Sequence, residues 1–268
     1  MREDCQVRVW DCHCHLRGDE TGAYVLEQMD AAGIERVNLF SRYAGRGAGD
    51  EPVTREQVRE TVDHIAAVQS ADPGRIYGLI FANPRAEGVV EEIERGIVDL
   101  GLRGVKMIPD HWSPCDDLVA PIYSKMQELG KPIQFHSGIL YGFGDSSRFC
   151  RPVLYEALIN YPGLRFSLAH IGWPWCDELI AVYGKMLNAL GHRRSPGEAS
   201  GVEMFVDITP GTPPIYRRRA LTDLFGAGYD VADHVIFGSD CRAPGYNSAW
   251  AREWLQRDEE ILNSLGVG

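Results

Sequence analysis

Nowhere in the 268 residues do apolar side chains run long enough to cross a bilayer, which takes about 18 or more in succession. Basic residues are in deficit: 27 Lys and Arg against 38 Asp and Glu leave a formal charge of −11. A nucleic-acid binder needs a basic stripe, and the densest basic run, Arg217-Arg218-Arg219, follows a Pro-Pro pair and is expected to decorate an exposed helix. Neither nucleic acid nor membrane is therefore an expected partner. Cysteines are few and odd in number, seven in all, without the paired spacing of a disulfide framework. The opening Met1 to Cys5 is polar and acidic and lacks the apolar stretch of a leader. Both features point to free thiols in a cytoplasmic protein. No Gly-rich dinucleotide fingerprint opens a helix, and no linker or composition shift divides the chain, so a single domain over residues 1–268 is expected.

What is present is alternation. Eight short β-rich runs alternate with helical patterns, the signature of βα units and a parallel sheet. The predicted strands are Val7 to His13, Arg36 to Ser41, Arg75 to Ala82, Gly104 to Ile108, Pro132 to His136, Arg165 to His170, Glu203 to Thr209 and His234 to Asp240. Between them apolar residues recur with helical period: Val58, Val62 and Ile65; Val89, Ile93, Ile97 and Leu100; Leu118, Ile122, Met126 and Leu129; Trp250, Trp254, Ile261 and Leu265. Thr54 with Gln57 reads as a capping box, and Gly33, Gly101 and Gly130 stand where helices stop. Eight units are the number that closes an α/β (β/α)8 TIM barrel, whose reacting groups sit at the C-terminal ends of the strands. Two long loops follow strand ends there, Arg42 to Pro52 and the glycine-rich Ser137 to Ser147.

Chemistry-bearing residues gather at those ends. The first strand finishes Asp11-Cys12-His13-Cys14-His15, and alternate positions of a strand share a side, so the two imidazoles project together and can chelate one ion. Cys12 and Cys14 lack the second ligand pair of a zinc ribbon. His136 ends the fifth strand, His170 the sixth and Asp240, in Gly238-Ser239-Asp240, the eighth. Four of the eight histidines thus share one end of the predicted barrel. His64, His192 and His234 fall on or beside helices or at a strand start and are expected to be structural or solvated; His111 lies in the loop after strand four, either a substrate contact or simply exposed.

Asp-x-His-x-His on strand one, His on five, His on six and Gly-Ser-Asp on eight together resemble the amidohydrolase superfamily. Phe81-Ala82-Asn83-Pro84, Gly104-Val105-Lys106 and Ala169-His170-Ile171-Gly172 resemble, more narrowly, its amidohydrolase-related group, which includes aminocarboxymuconate-semialdehyde decarboxylase, resorcylate decarboxylases and lactone hydrolases. The resemblance implies that His13, His15, His136 and Asp240 hold one divalent ion, usually zinc, at the C-terminal face of the strands. His170 would serve as catalytic base or polariser, with Asp240 a second proton acceptor. A bound cation lowers the pKa of water from 15.7 to about 7, which suits such a site. Asp11 is expected to orient a ligand or make a core hydrogen bond. Lys106 is expected to point inward, as a charge partner or substrate contact; carboxylated, it would bridge two ions, with His136 and His170 holding the second.

Three functions compete. The first is metal-dependent hydrolysis of a small organic ester, lactone or amide. The second is non-oxidative decarboxylation of a carboxylated aromatic or enol. The third is an idle barrel that only binds. Arg42, Arg46 and Arg148 are candidate carboxylate clamps, His111 a further substrate contact, and Tyr141, Trp173 and Trp175 a candidate apolar wall. A homo-oligomer is left open by the sequence.

Overall fold

The computed structural model describes residues 8–44, 52–192 and 201–267. Nine strands form one parallel sheet: β1 Val9–His15, β2 Ile34–Phe40, β3 Ile76–Phe81, β4 Gly104–Met107, β5 Ile133–Phe135, β6 Arg165–Leu168, β7 Glu203–Asp207, β8 Val235–Ile236 and β9 Cys241–Arg242. The spatial order is β8-β7-β6-β5-β4-β3-β2-β1-β9. Its two ends are carried by one stretch of chain. β8 pairs with β7, β9 pairs with β1, and between them the Cys12 amide donates to the Phe237 carbonyl at 2.9 Å and the Asp240 amide to the His13 carbonyl at 3.0 Å. The sheet therefore curls, with its last predicted strand broken around Gly238, Ser239 and Asp240, an arrangement consistent with an eightfold barrel.

Helices alternate with the strands: α1 Gly22–Ala32, α2 Arg55–Ser70, α3 Val89–Val98, α4 Ala120–Leu129, α5 Ser146–Phe149, α6 Cys176–His192, α7 Pro214–Gly226 and α8 Ser248–Ser264. β4 and β5 are buried throughout, as strands covered on both faces must be. Thr54 and Gln57 cap α2 reciprocally, and Gly33 and Gly130 end α1 and α4 in the left-handed conformation. Val58, Val62, Ile65, Val89, Ile93 and Ile97 enter the core. Leu100 and Leu118 do not: one lies past the end of α3, the other in a 3-10 turn before α4, and both are exposed. Only the flanks of the loop over 42–52 fall among the described residues, and no helix there is long and apolar enough to cross a membrane.

The first strand runs two residues further than predicted, through His15. Its register against β2 slips between Asp11 and Cys14, a bulge-like irregularity that lets the strand bend while Asp11 and His13 stay buried. β6, by contrast, stops at Leu168, and the chain turns through a 3-10 segment, Ala169–Gly172, in which His170 (φ 62°) and Ile171 (φ 51°) are left-handed.

Arg217 corrects the expectation of an exposed basic run. It is fully buried in α7, where Nε and Nη2 donate to the two oxygens of Asp258 at 2.7 and 2.6 Å, and Nη2 also donates to the Ile208 carbonyl at 2.5 Å. Its guanidinium lies 5.1 Å from the Trp254 ring centroid. The planar fork matches a carboxylate bidentately, so this charge can be buried and joins α7 and α8 to the chain just beyond β7. Arg217→Ala would leave Asp258 buried and unpaired, and is expected to destabilise the fold by about 3–5 kcal/mol, read as a shifted denaturant midpoint; an unshifted midpoint would contradict the clamp.

Gly238 carries a different constraint. A Cβ built there would collide with Thr209 Oγ1 and His13 Cβ, so the last strand approaches the first only because this position lacks a side chain. Gly238→Ala is expected to cost roughly 1–3 kcal/mol through overpacking, measured as a lower thermal midpoint; wild-type stability would show that the strands can part without cost.

Candidate metal centre

Several strand ends contribute polar groups to a common cavity of about 250 Å3. β1 presents His13 and His15, β4 presents Lys106 and the residue after β5 is His136; the turn after β6 carries His170, and Asp240 stands between β8 and β9. His15 Nε2 lies 3.2 Å and His13 Nε2 3.5 Å from Asp240 Oδ1. One donor atom from each of His13, His15 and Asp240 falls within 4.8 Å of the others, a group that can hold a metal ion. His136 is not part of that tight triad. Its ring stands 4.8 Å from that of His170, centroid to centroid, and its buried Nε2 has no hydrogen-bond partner.

Electrostatics favour imidazoles with a lone pair to offer. Burial, reinforced by the Lys106 ammonium, lowers the pKa of His13; burial does the same for His15 against the opposing pull of Asp240, and for His136 with the help of His170 and Lys106. The Lys106 side chain is itself fully buried, 3.4 Å from His13 Nε2, and burial brings its pKa down to about 8 against the fields of Asp207 and Asp240. Asp240 goes the other way. Partial removal from water would raise its pKa, but the hydrogen bond from His15 and the fields of His13 and His170 take it well below the ordinary carboxylate value. Neutral imidazoles beside an ionised carboxylate are the protonation states a divalent cation requires of its ligands.

Hydrogen bonds orient two of the rings. His170 Nδ1 lies 3.2 Å from the Pro210 carbonyl, which only accepts, so Nδ1 is the donor and the neutral ring would leave Nε2 bare. His13 Nδ1 lies 2.7 Å from Asp207 Oδ2. Asp11 sits one layer deeper and makes core hydrogen bonds, accepting from the amides of His13 (3.0 Å) and Ser239 (2.9 Å) and the hydroxyls of Ser239 and Tyr246 (both 2.5 Å).

Of the predicted substrate contacts among the described residues, Lys106 and Tyr141 line the cavity, and the Tyr141 hydroxyl donates to the Gly211 carbonyl at 3.2 Å. Arg42 is turned away, bonded to Asp19 at 3.0 Å and Glu60 at 2.9 Å. His111 is exposed outside the cavity, its carbonyl accepting from Arg85. Arg148 lies over the Phe149 ring. Trp173 packs on Tyr216 at 5.0 Å in a neighbouring groove, and Trp175 faces Arg151. Arg46 lies outside the described residues. His64 and His234 are remote, paired with the Glu20 carbonyl and with Glu203.

Among the described residues, the arginines that line the cavity are Arg17 and Arg242, neither of which is a candidate from the sequence. Each stands two residues after a member of the triad, His15 or Asp240, so the alternation that singled out His13 and His15 could have found them. Asp207 and Gln134 were missed as well. Asp207 ends β7 as His15 ends β1, and Gln134 precedes His136 by two on the same side of β5.

A family model described as amidohydrolase matches residues 10–266. No curated protein matches the chain. Among solved structures, an uncharacterised TIM-barrel protein from Bordetella bronchiseptica superposes with a TM-score of 0.64 at 19% identity, covering 96% of each chain. A 5-carboxyvanillate decarboxylase from Novosphingobium aromaticivorans, complexed with manganese and 4-hydroxy-3-methoxy-5-nitrobenzoic acid, gives 0.59 at 17% identity over 85% of this chain and 72% of that one. A probable 2-pyrone-4,6-dicarboxylic acid hydrolase from Acinetobacter baumannii, with citric acid bound, gives 0.60 at 11% identity over 96% and 92%. At such identities the shared property is the fold. The family match, running from β1 past the end of α8 and so across every residue of the triad, shows that this chain is an enzyme of the amidohydrolase family, in its amidohydrolase-related group.

Proposed function

We propose that the protein is a metal-dependent hydrolase of a small carboxylated ester, lactone or amide, with its centre at the C-terminal ends of the strands. The observation that carries this reading is the convergence of His13, His15 and Asp240 on one point of a cavity in which a further imidazole nitrogen, His136 Nε2, is buried without a partner. A buried unpaired polar atom is costly, and a cation beside the triad would relieve it. The residues fit a divalent ion: His13, His15 and Asp240 would hold it, with His136 completing the donor set. Nitrogen-rich donors with one carboxylate suit zinc, and the manganese bound by the decarboxylase of similar fold keeps other divalent ions in the reading. When bound, such an ion supplies Lewis acidity that makes water nucleophilic near neutral pH.

The rest of the chemistry belongs to the chain. His170, with its proton fixed on Nδ1 by the Pro210 carbonyl, turns a bare Nε2 to the cavity and is placed to take a proton from attacking water. Asp240, held ionised, is the second acceptor. Arg17 and Arg242 stand at the cavity wall and would grip a substrate carboxylate. Tyr141 and Phe143 add aromatic surface to the cavity lining. A second reading, decarboxylation of a carboxylated aromatic, draws support from the same cationic wall, since Lys106, Arg17 and Arg242 suit an anionic substrate in either reaction.

Purified protein should contain close to one equivalent of divalent ion, lost in His13→Ala. His170→Ala should keep most of its metal while turnover falls on the order of 10²–10⁴-fold; equal loss of metal in both variants would make His170 a ligand instead. A stoichiometry near two would favour a carboxylated Lys106 bridging two ions.

Turnover in oxygen-18 water separates the two reactions. Hydrolysis places one solvent oxygen in the newly formed carboxyl group. Unlabelled product released with stoichiometric carbon dioxide, and with solvent hydrogen at the vacated carbon, would establish decarboxylation in its place.

A further inference from the structure

Beneath the cavity lies a carboxylate that the proposed chemistry does not use. Asp207, the last residue of β7, is wholly buried and receives four hydrogen bonds on its two oxygens. His13 Nδ1 (2.7 Å) and Gln134 Nε2 (2.9 Å) meet Oδ2; the Thr209 amide (2.8 Å) and the Thr209 hydroxyl meet Oδ1. The Gln134 amide also donates to the Cys12 carbonyl at 2.9 Å, so the carboxylate is anchored to β1, β5 and the chain beyond β7 and has no freedom to turn.

The arrangement dictates where the His13 proton must be. An ionised carboxylate only accepts, so the proton is on Nδ1. The Lys106 ammonium, which only donates, reaches Nε2 at 3.4 Å and requires a lone pair there. Two neighbours on opposite sides of the ring thus specify one tautomer, with Nε2 bare and directed at Asp240, 3.5 Å away. We propose that Asp207 is a positioning residue for metal capture: it touches no ion, but fixes the tautomer and direction of His13 so that Nε2 is always ready to bind. This rests on the reading of His13 as a ligand.

Asparagine is the informative substitution. It keeps the shape of Asp207 but replaces one acceptor oxygen with an NH2 group among four donors. If the nitrogen faces His13, the imidazole must accept at Nδ1 and carry its proton on Nε2, the atom aimed at the ion. Chelator-stripped full-length wild type and Asp207→Asn would each be titrated with Zn2+ by calorimetry. Their His13 nitrogens would be compared by 15N NMR, the His13 signals being assigned by their loss in His13→Gln. The expected result is an affinity roughly tenfold to a hundredfold weaker in the variant, the usual effect of losing such a partner, together with a His13 proton on Nδ1 in wild type and displaced toward Nε2 in the variant. A purely structural role would lower stability without moving the tautomer. Unchanged affinity in a folded Asp207→Asn, or a wild-type His13 protonated on Nε2, would overturn the proposal. Should the variant fail to fold, the wild-type tautomer decides it. Should wild type bind no ion at all, the ligand reading falls, while the tautomer measurement still judges the orienting contact by itself.

Discussion

The carboxylate of Asp11 is the tie on which the site depends. It lines no part of the cavity, yet it receives hydrogen bonds from its own strand and from Ser239 and Tyr246 more than 200 residues later. Burial raises its pKa, and those same hydrogen bonds oppose the rise. Because Ser239 is bound from both its amide and its hydroxyl, the broken last strand cannot slide along the first. Asp240 is the next residue, and its amide is fixed to the His13 carbonyl. The 3.2 and 3.5 Å approaches of its carboxylate to His15 and His13 follow from that anchorage. Gly-Ser-Asp is then intelligible residue by residue: glycine because His13 and Thr209 leave no room for a Cβ, serine as the tie to Asp11, and aspartate as the group delivered.

Delivering it bends the backbone out of its ordinary range. Among the described residues the non-glycine positions with positive φ are His170, Ile171 and Asp240, and two of these three face the cavity. Each such residue costs of order 1–3 kcal/mol and persists only where its surroundings over-determine it. Here they do. The His170 carbonyl accepts from the Trp173 amide at 3.0 Å, its ring is tied to the Pro210 carbonyl, and Gly211 lies so close that a Cβ would press on the imidazole. Ending β6 two residues early and turning the chain sharply swings His170 toward His136, which a straight continuation of the strand would not do.

This also explains what the sequence could disclose. Asp11, His13 and His15 are legible because strand alternation is a local rule: three residues spaced by two share a side wherever the strand lies. His136 and Asp240 are legible because βα alternation puts strand ends at one end of the sheet. Arg217 was misread because its partner, Asp258, lies on another helix, and no local pattern marks an arginine that will find a buried carboxylate 41 residues away. Arg42 and Arg148 failed for the same reason in reverse. Arg42 follows β2 and Arg148 sits in the short α5, but where such a side chain turns depends on its surroundings, here Asp19 and Glu60 for Arg42 and the adjacent Phe149 ring for Arg148.

The arginines that do reach the cavity would place substrate recognition beside the strands proposed to hold the ion. Arg17 follows His15 by two residues beyond β1, and Arg242 follows Asp240 by two within β9. β1 and β9 are hydrogen-bonded neighbours, with His15 opposite Arg242. A substrate carboxylate held by this pair would be referenced to the same two strands that carry the triad, not to a mobile loop. Sites built on strands hold their geometry more tightly than sites built on loops, and proximity contributes to rate only when the reacting atoms are held within a few tenths of an ångström of alignment. Tyr141 and Phe143, on the chain after β5, line the same cavity without belonging to either of those strands.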